Sequence, residues 1–271
     1  MKGLIQKMSN VVKISELKKK TKSHVGVLSF LLVAMIICFL LTSPVFSIED
    51  VTVSGNEKVS SEEIISTSGI TYAQNILRID KFAIINEIQK IPYVKSAEMK
   101  RNWPNNICIL IEENMPVAEI TFYGSKILLD ENGTILEVVT DNAKTDFVKF
   151  EGISAKSITA GNTLECNEKE ILESYLEILK IFKNNDMLDE IEKMFTDNGR
   201  YLIGLKAGHV ACIGDTKNLQ YKILLLKEII TRESNPVYVD LSDLNMIVTK
   251  PVWGMFTDKS SQDGLETKEE I

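Results

Sequence analysis

The sequence predicts an α+β protein: one N-terminal transmembrane helix, a compact β-α-α-β-β domain, and a second mixed, mainly antiparallel β-domain carrying two helices. Three observations predict it. Residues 25–47 hold no charged side chain. Residues 48–115 alternate strand-like and helix-like apolar patterns between clear turn signals. Beyond them, strands punctuated by Asn-Gly and Gly turns are interrupted twice by apolar stripes of helical period.

The first element is VGVLSFLLVAMIICFLLTSPVFS, 25–47. As a helix it would reach about 35 Å, against a hydrocarbon core of about 30 Å. Phe30 to Leu41 are all Leu, Ile, Val, Phe, Met, Ala or Cys, so insertion into lipid is favourable. A cleaved signal peptide is the rival reading, but its apolar region is usually ~7–15 residues before a small-x-small site. This run is longer, and Thr42 to Ser47 match that site poorly. An uncleaved anchor follows.

The flanks set the orientation. Residues 1–24 carry seven lysines against Glu16, while Glu49 and Asp50 follow the apolar run. The positive-inside rule keeps the basic tail, 1–24, in the cytoplasm and sends 48–271 outside. That tail has apolar residues at Leu4, Ile5, Met8, Val11 and Val12. It reads as a disordered segment held near anionic lipid, with a helix on the inner leaflet as the alternative. The whole chain has net charge −7, so the outer portion is near −13. An acidic exterior without a basic run excludes nucleic acid as a partner class.

The first outer domain, 48–115, opens with the alternating strand Ile48–Val53 and the turn Ser54-Gly55-Asn56. Ser60 and Glu63 form a capping box that starts a short helix, stopped by Gly69. Asp80 starts a second helix with Phe82, Ile85 and Ile88 on one face, ended by Pro92. Strands follow over Val94–Lys100 and Asn106–Glu112, joined at Asn102-Trp103-Pro104-Asn105. In the second domain, 116–250, Val117–Phe122 alternates, and Ile127–Leu136 is a hairpin turning at Asn132-Gly133. Asn167 and Glu170 cap a helix with Ile171, Tyr175, Ile178 and Phe182 on one stripe. Strands at Ile191–Phe195, Tyr201–Lys206 and His209–Ile213 precede a helix striped by Leu219, Ile223, Leu226 and Ile230. Pro236–Leu241 and Asn245–Thr249 close the domain, and 251–271 is a polar, disordered tail.

Local strings inside this pattern carry a resemblance. They are Val53-Ser54-Gly55-Asn56, Ile91-Pro92-Tyr93-Val94-Lys95-Ser96-Ala97, Arg101-Asn102-Trp103-Pro104-Asn105, and Glu112-Glu113-Asn114-Met115-Pro116-Val117-Ala118. With the single anchor before them, they resemble the FtsQ/DivIB family of bitopic cell-division proteins, whose first outer domain is a POTRA domain. The Asp130–Gly133 turn and Tyr238-Val239-Asp240-Leu241 extend the resemblance over 25–250. Asn114 departs from it, standing where the family often has Arg. That leaves open any charge pair made there, but not the fold.

The side-chain inventory points away from catalysis. His24 abuts the membrane and His209 begins a strand, so neither has a metal-ligand or triad spacing. There is no G-x-S-x-G, no CxxC and no phosphate-cradling glycine loop. Glu112-Glu113 and Asp130-Glu131 read as solvated surface pairs at a strand end and a turn. Cys38 lies in the span, which leaves Cys108, Cys166 and Cys212, an odd number. Cys108 and Cys212 sit in apolar runs where Cys acts as a small hydrophobe. Free thiols outside the membrane fit a low-oxygen habitat. The expectation is a non-enzyme without cofactor or metal.

The resemblance implies a division scaffold at the septum. It binds FtsL and FtsB/DivIC-type bitopic proteins near its C-terminal strands, and acts on septal peptidoglycan synthases. By position, the expected contact residues are Tyr238, Val239, Leu241 and Leu244, with Lys222 and Lys227 as charge partners and Trp253 as an aromatic anchor. Phe256 is a further exposed-looking aromatic. Val239 and Leu241 also alternate like core, and the two lysines also read as a solvated face. The alternative function is a POTRA-bearing chaperone or transport accessory that holds extended secreted polypeptide.

Overall fold

The computed structural model of the chain describes residues 25–252. It divides into two compact units, one ending at Glu113 and the other beginning at Asn114. The basic tail 1–24 and nearly all of the polar tail lie outside the described residues.

In the first unit, helix α1 (Val25–Thr42) is long and apolar enough to cross a membrane, with its side chains outward and unburied. It is shorter than the 25–47 run. Pro44 has no N–H to continue an α-helix, and the hydroxyl of Ser43 accepts from the N–H of Val45 (3.4 Å), opening a tight turn over Pro44–Phe46. The free carbonyls of Leu40 and Leu41 each accept a hydrogen bond (3.2 Å) from the side-chain amide of the buried Asn75. The helix end is thereby tied to the domain that follows it, where Ile48 donates to Gln74 O (2.8 Å) and Ile76 donates to Phe46 O (2.8 Å).

That domain is a three-stranded sheet with two helices. Its strands are β1 (Asp50–Ser54), β2 (Val94–Asn102) and β3 (Asn106–Glu113), in the order β1-β3-β2. β1 runs parallel to β3 with Val51 beside Ile107, and β2 runs antiparallel to β3 with Met99 beside Ile109. Ser60 caps α2 (Ser61–Ser68) by accepting from the N–H of Glu63 (3.2 Å), and Gly69 ends it in the left-handed conformation. Asp80 caps α3 (Lys81–Ile88), accepting from Phe82 (2.9 Å) and Ala83 (3.3 Å). The buried stripe of α3 differs from the expected one. Ile84 and Ile88, four apart, face the core, whereas Phe82 is 76% exposed. Period 3.6 lets one Ile-rich helix be phased two ways, and the sheet chose the purely aliphatic one.

Gly55 is required by its surroundings. Its φ is +85°, and a Cβ there would lie 2.1 Å from the carbonyl oxygen of Ile111.

The second unit is a nine-stranded mixed sheet. Its strands are β4 (Ala118–Phe122), β5 (Ser125–Leu129), β6 (Ile135–Thr140), β7 (Val148–Phe150), β8 (Ile191–Asp197), β9 (Arg200–Leu205), β10 (Val210–Gly214), β11 (Val237–Asp240) and β12 (Val248–Pro251). Their order is β12-β11-β10-β9-β8-β7-β4-β5-β6. Neighbours are antiparallel except for the parallel pairs β4/β7, β7/β8 and β10/β11. β7 was not expected from the sequence, because three residues leave no readable alternation. Helices α4 (Lys169–Asn184) and α5 (Leu219–Arg232) pack Leu172, Tyr175, Ile178, Leu179, Phe182, Ile223 and Leu226 into the core. α4 begins one residue away from the expected cap. Glu168 stands at the cap without a side-chain bond to the helix, because its carboxylate accepts from Ser154 N–H (2.8 Å) instead.

Asp130 is not a solvated carboxylate. It is buried, and Oδ1 accepts from Asn132 N–H (2.9 Å) and Thr134 N–H (2.7 Å), so it builds the β5–β6 hairpin turn. Glu113 likewise accepts from the N–H groups of Lys58 (2.8 Å) and Val59 (2.9 Å). Glu112 is at the surface, where the hydrogen bond from Lys95, then that from Ser96, holds its carboxyl below the usual range.

Candidate partner-binding edge

β12 ends the nine-stranded sheet and pairs with β11 on one side, and its other side is unpaired among the described residues. Tyr238 pairs with Lys250 and Asp240 with Val248, and Val252 N–H reaches Pro236 O (3.3 Å). By the alternation of an antiparallel ladder, Val248 and Lys250 then turn their polar backbone groups toward β11, and Thr249 turns its own outward. Lys250 and Pro251 occupy this edge, residues that discourage uncontrolled pairing.

The strands behind the edge are held from both faces. Val237, Val239 and Leu241 point into the core under the helices, and Leu241 N–H donates to Cys212 O (2.8 Å). Tyr238 lies on the opposite face, packed against Leu202, Val210 and Cys212. Burial, then the hydrogen bond with Cys212, keeps the Tyr238 phenol above its ordinary pKa. Burial also pushes the Cys212 thiol up, so it behaves as an inert hydrophobe. All four cysteines are unpaired.

Two polar groups fix the ends. His209 is buried at the head of β10, and its Nδ1 accepts from Val237 N–H (3.1 Å), which ties the start of β11 to β10. Asp240 at the end of β11 accepts from the N–H (3.0 Å) and hydroxyl (2.5 Å) of Ser242 and faces Arg200. Burial opposes its ionisation, but the two Ser242 bonds and Arg200 outweigh that and hold its carboxyl below the usual range. Gly214, at φ +77°, lets Ser242 pass. A Cβ there would stand 2.8 Å from the Ser242 Cα.

The expected contact residues therefore separate. Tyr238 and Leu244 are half-buried and within reach of solvent, and Lys227 is exposed, donating to Asn185 O (2.7 Å). Val239 and Leu241 are fully buried, so they shape the edge without offering surface. Lys222 departs furthest from the expectation. It is 2% exposed, and Nζ donates to Ile213 O (2.8 Å), Asp215 O (3.1 Å) and Asp215 Oδ1 (2.9 Å). That ammonium is used inside the domain. Its hydrogen bond is the main reason the Asp215 carboxyl lies below the usual range. Trp253 and Phe256 lie outside the described residues.

Sequence reasoning missed Met246, 68% exposed, and Ile247, both in the turn leading into β12. The alternation predicts a strand over Asn245–Thr249 and so masks them. Asp243 was the available signal, since its carboxylate accepts from Asn245 N–H (2.9 Å) and makes 243–246 a turn.

A cleft of about 240 Å³ opens beside α5, lined by Asp186, Glu190, His209, Lys227 and Thr231 among others. Its His209 Nδ1 and Lys227 Nζ already serve backbone groups. Among the described residues no group of three His, Cys, Asp or Glu side chains could hold a metal ion.

Among the described residues, one apolar membrane-length helix precedes a small β-α-α-β-β domain and a large mixed sheet, an arrangement that fits a single-pass membrane protein with a POTRA-type domain. Residues 46–114 match the FtsQ-type POTRA domain. The cell division protein DivIB of Clostridium tetani is 28% identical over 222 residues, covering 79% of this chain and 83% of that protein. The cell division protein FtsQ of Geotalea daltonii is 28% identical over 214 residues, 76% of each. DivIB of Clostridium acetobutylicum is 26% identical over 161 residues, 58% of this chain and 65% of that protein's length. The chain is thus similar to the FtsQ and DivIB cell division proteins over much of its length, and these likenesses support an FtsQ/DivIB-type protein with a division-related role.

Proposed function

We propose that the protein is a non-enzymatic scaffold of the division septum. Its N-terminus lies in the cytoplasm, and both folded units lie outside, where they bind bitopic proteins of the FtsL and FtsB/DivIC type. The assembled complex positions or licenses the septal peptidoglycan synthases. The observation that carries this reading is the side of β12 left unpaired among the described residues, with outward backbone groups at Thr249 and the exposed Met246 beside it. A partner segment adds there as a further strand: main-chain bonds give affinity, and Met246, Tyr238 and Leu244 give selectivity. Confinement of both proteins to one membrane raises their effective concentration, so a modest contact area suffices.

The test is a fluorescent fusion in dividing cells combined with co-purification of the bitopic partners. The expected results are a midcell band, filamentation on depletion, and loss of co-purification in Thr249→Pro with retention in Thr249→Val. Even distribution with normal septa, or full co-purification by a folded Thr249→Pro protein, would sink the proposal.

A further inference from the structure

The base of the POTRA domain carries an apolar face that neither its core nor the partner edge uses. Val45 is 58% exposed, Leu77 38% and Trp103 57%, with the Trp103 ring edge-on to Phe46 at 6.2 Å between centroids. These residues are fixed relative to the end of α1. Asn75 holds the carbonyls of Leu40 and Leu41. The Arg101 guanidinium, next to the Trp103 turn, donates to Ile76 O (3.1 Å) and Ile79 O (2.9 Å), clamping the loop that carries Leu77 and Arg78.

Arg78 completes the pattern. It closes a groove of about 370 Å³ whose floor is α1, through Phe30, Val33, Ile37 and Leu41. The groove is therefore apolar along its length and cationic at one wall. Arg78 makes no side-chain hydrogen bond or ion pair among the described residues.

We propose that this face seats on the outer leaflet, with a phospholipid acyl chain along the α1 groove and its phosphate on Arg78. The argument is continuity: α1 is already the segment that lipid surrounds, and the groove is an extension of its surface. A guanidinium beside hydrocarbon is costly unless it reaches an anion, and phosphate matches its planar fork. Trp at the end of a span belongs at headgroup depth, where its ring is apolar and its N–H is wet. The seat fixes the domain's height above the bilayer.

The experiment uses the full chain in a Trp253→Phe background, where Trp103 is the one remaining tryptophan. The protein is reconstituted into vesicles of phosphatidylcholine and phosphatidylglycerol that carry brominated acyl chains. Co-flotation with the vesicles reports insertion of α1 independently. The expected result is blue-shifted Trp103 emission, quenched more by bromine near the headgroup than near the chain end. Arg78→Glu should lower the seated-to-lifted ratio about fivefold, and Arg78→Lys should recover most of it. Water-like, unquenched emission from a co-floating protein would overturn the proposal. So would quenching that falls as the protein-to-lipid ratio rises, which would assign the groove to a second transmembrane helix.

Discussion

The ammonium of Lys222 lies 2.8 Å from the carbonyl oxygen of Ile213 and ties α5 to the end of β10 from inside the sheet domain. Removing it orphans that carbonyl and the buried end of the Asp215 contact. Lys222→Ala should cost about 1–3 kcal/mol in urea unfolding, whereas Lys227→Ala on the exposed face should stay within about 0.5 kcal/mol. Equal effects would mean that burial does not separate the two lysines.

Acid should loosen the β11–β12 edge of the sheet. The Asp240 carboxyl lies below its unfolded value, so its contribution is fully present above the ordinary carboxylate range. It is lost as pH falls through the depressed folded value. Amide hydrogen exchange in β11 and β12 should accelerate, relative to the intrinsic rate, on acidification toward that value. Asp240→Asn should be faster at neutral pH and lose the acid dependence.

Gly55→Ala tests the exit from β1. The substitution combines a left-handed backbone with a Cβ driven into Ile111 O. The cost should reach about 3 kcal/mol or more, read as a large drop in the melting temperature of the purified protein. Gly69→Ala is the control, because nothing crowds a Cβ at the α2 cap.

Asn75→Ala should leave two carbonyls at the end of α1 without their donor. A loss of about 1–3 kcal/mol is expected, appearing as faster proteolysis between residues 43 and 48 while the β-domain keeps its resistance. Unchanged proteolysis there would show that water replaces the amide at no cost.

Local chemistry was readable in the chain and long-range pairing was not. Ser60, Gly69 and Asp80 act as caps because a side-chain oxygen or a missing Cβ works within four residues of its target. The Asn132-Gly133 turn is local in the same sense. The parallel pairings β1/β3 and β10/β11 join segments separated by whole helices, and no periodicity records which segments meet. In the candidate site, the family resemblance pointed to Tyr238 and Leu244, and the structure leaves both half-buried. The burial of Lys222 was not legible in the same way, although its place between Leu219 and Ile223 on the inward stripe of α5 was a signal. Residue type argued for solvent, spacing argued for burial, and spacing won because three oxygens waited inside.

The parallel register of β1 and β3 has a mechanical side. The membrane anchor enters the POTRA domain at the start of β1, and the chain leaves it at the end of β3. Tension between a fixed anchor and a load on the second unit therefore pulls these neighbours in opposite directions along their own axes. Every rung of the ladder resists at once, instead of opening one after another like a zip. A domain wired this way carries a pull between its two ends without unravelling, and single-molecule pulling on the two ends of the POTRA domain would read its strength directly.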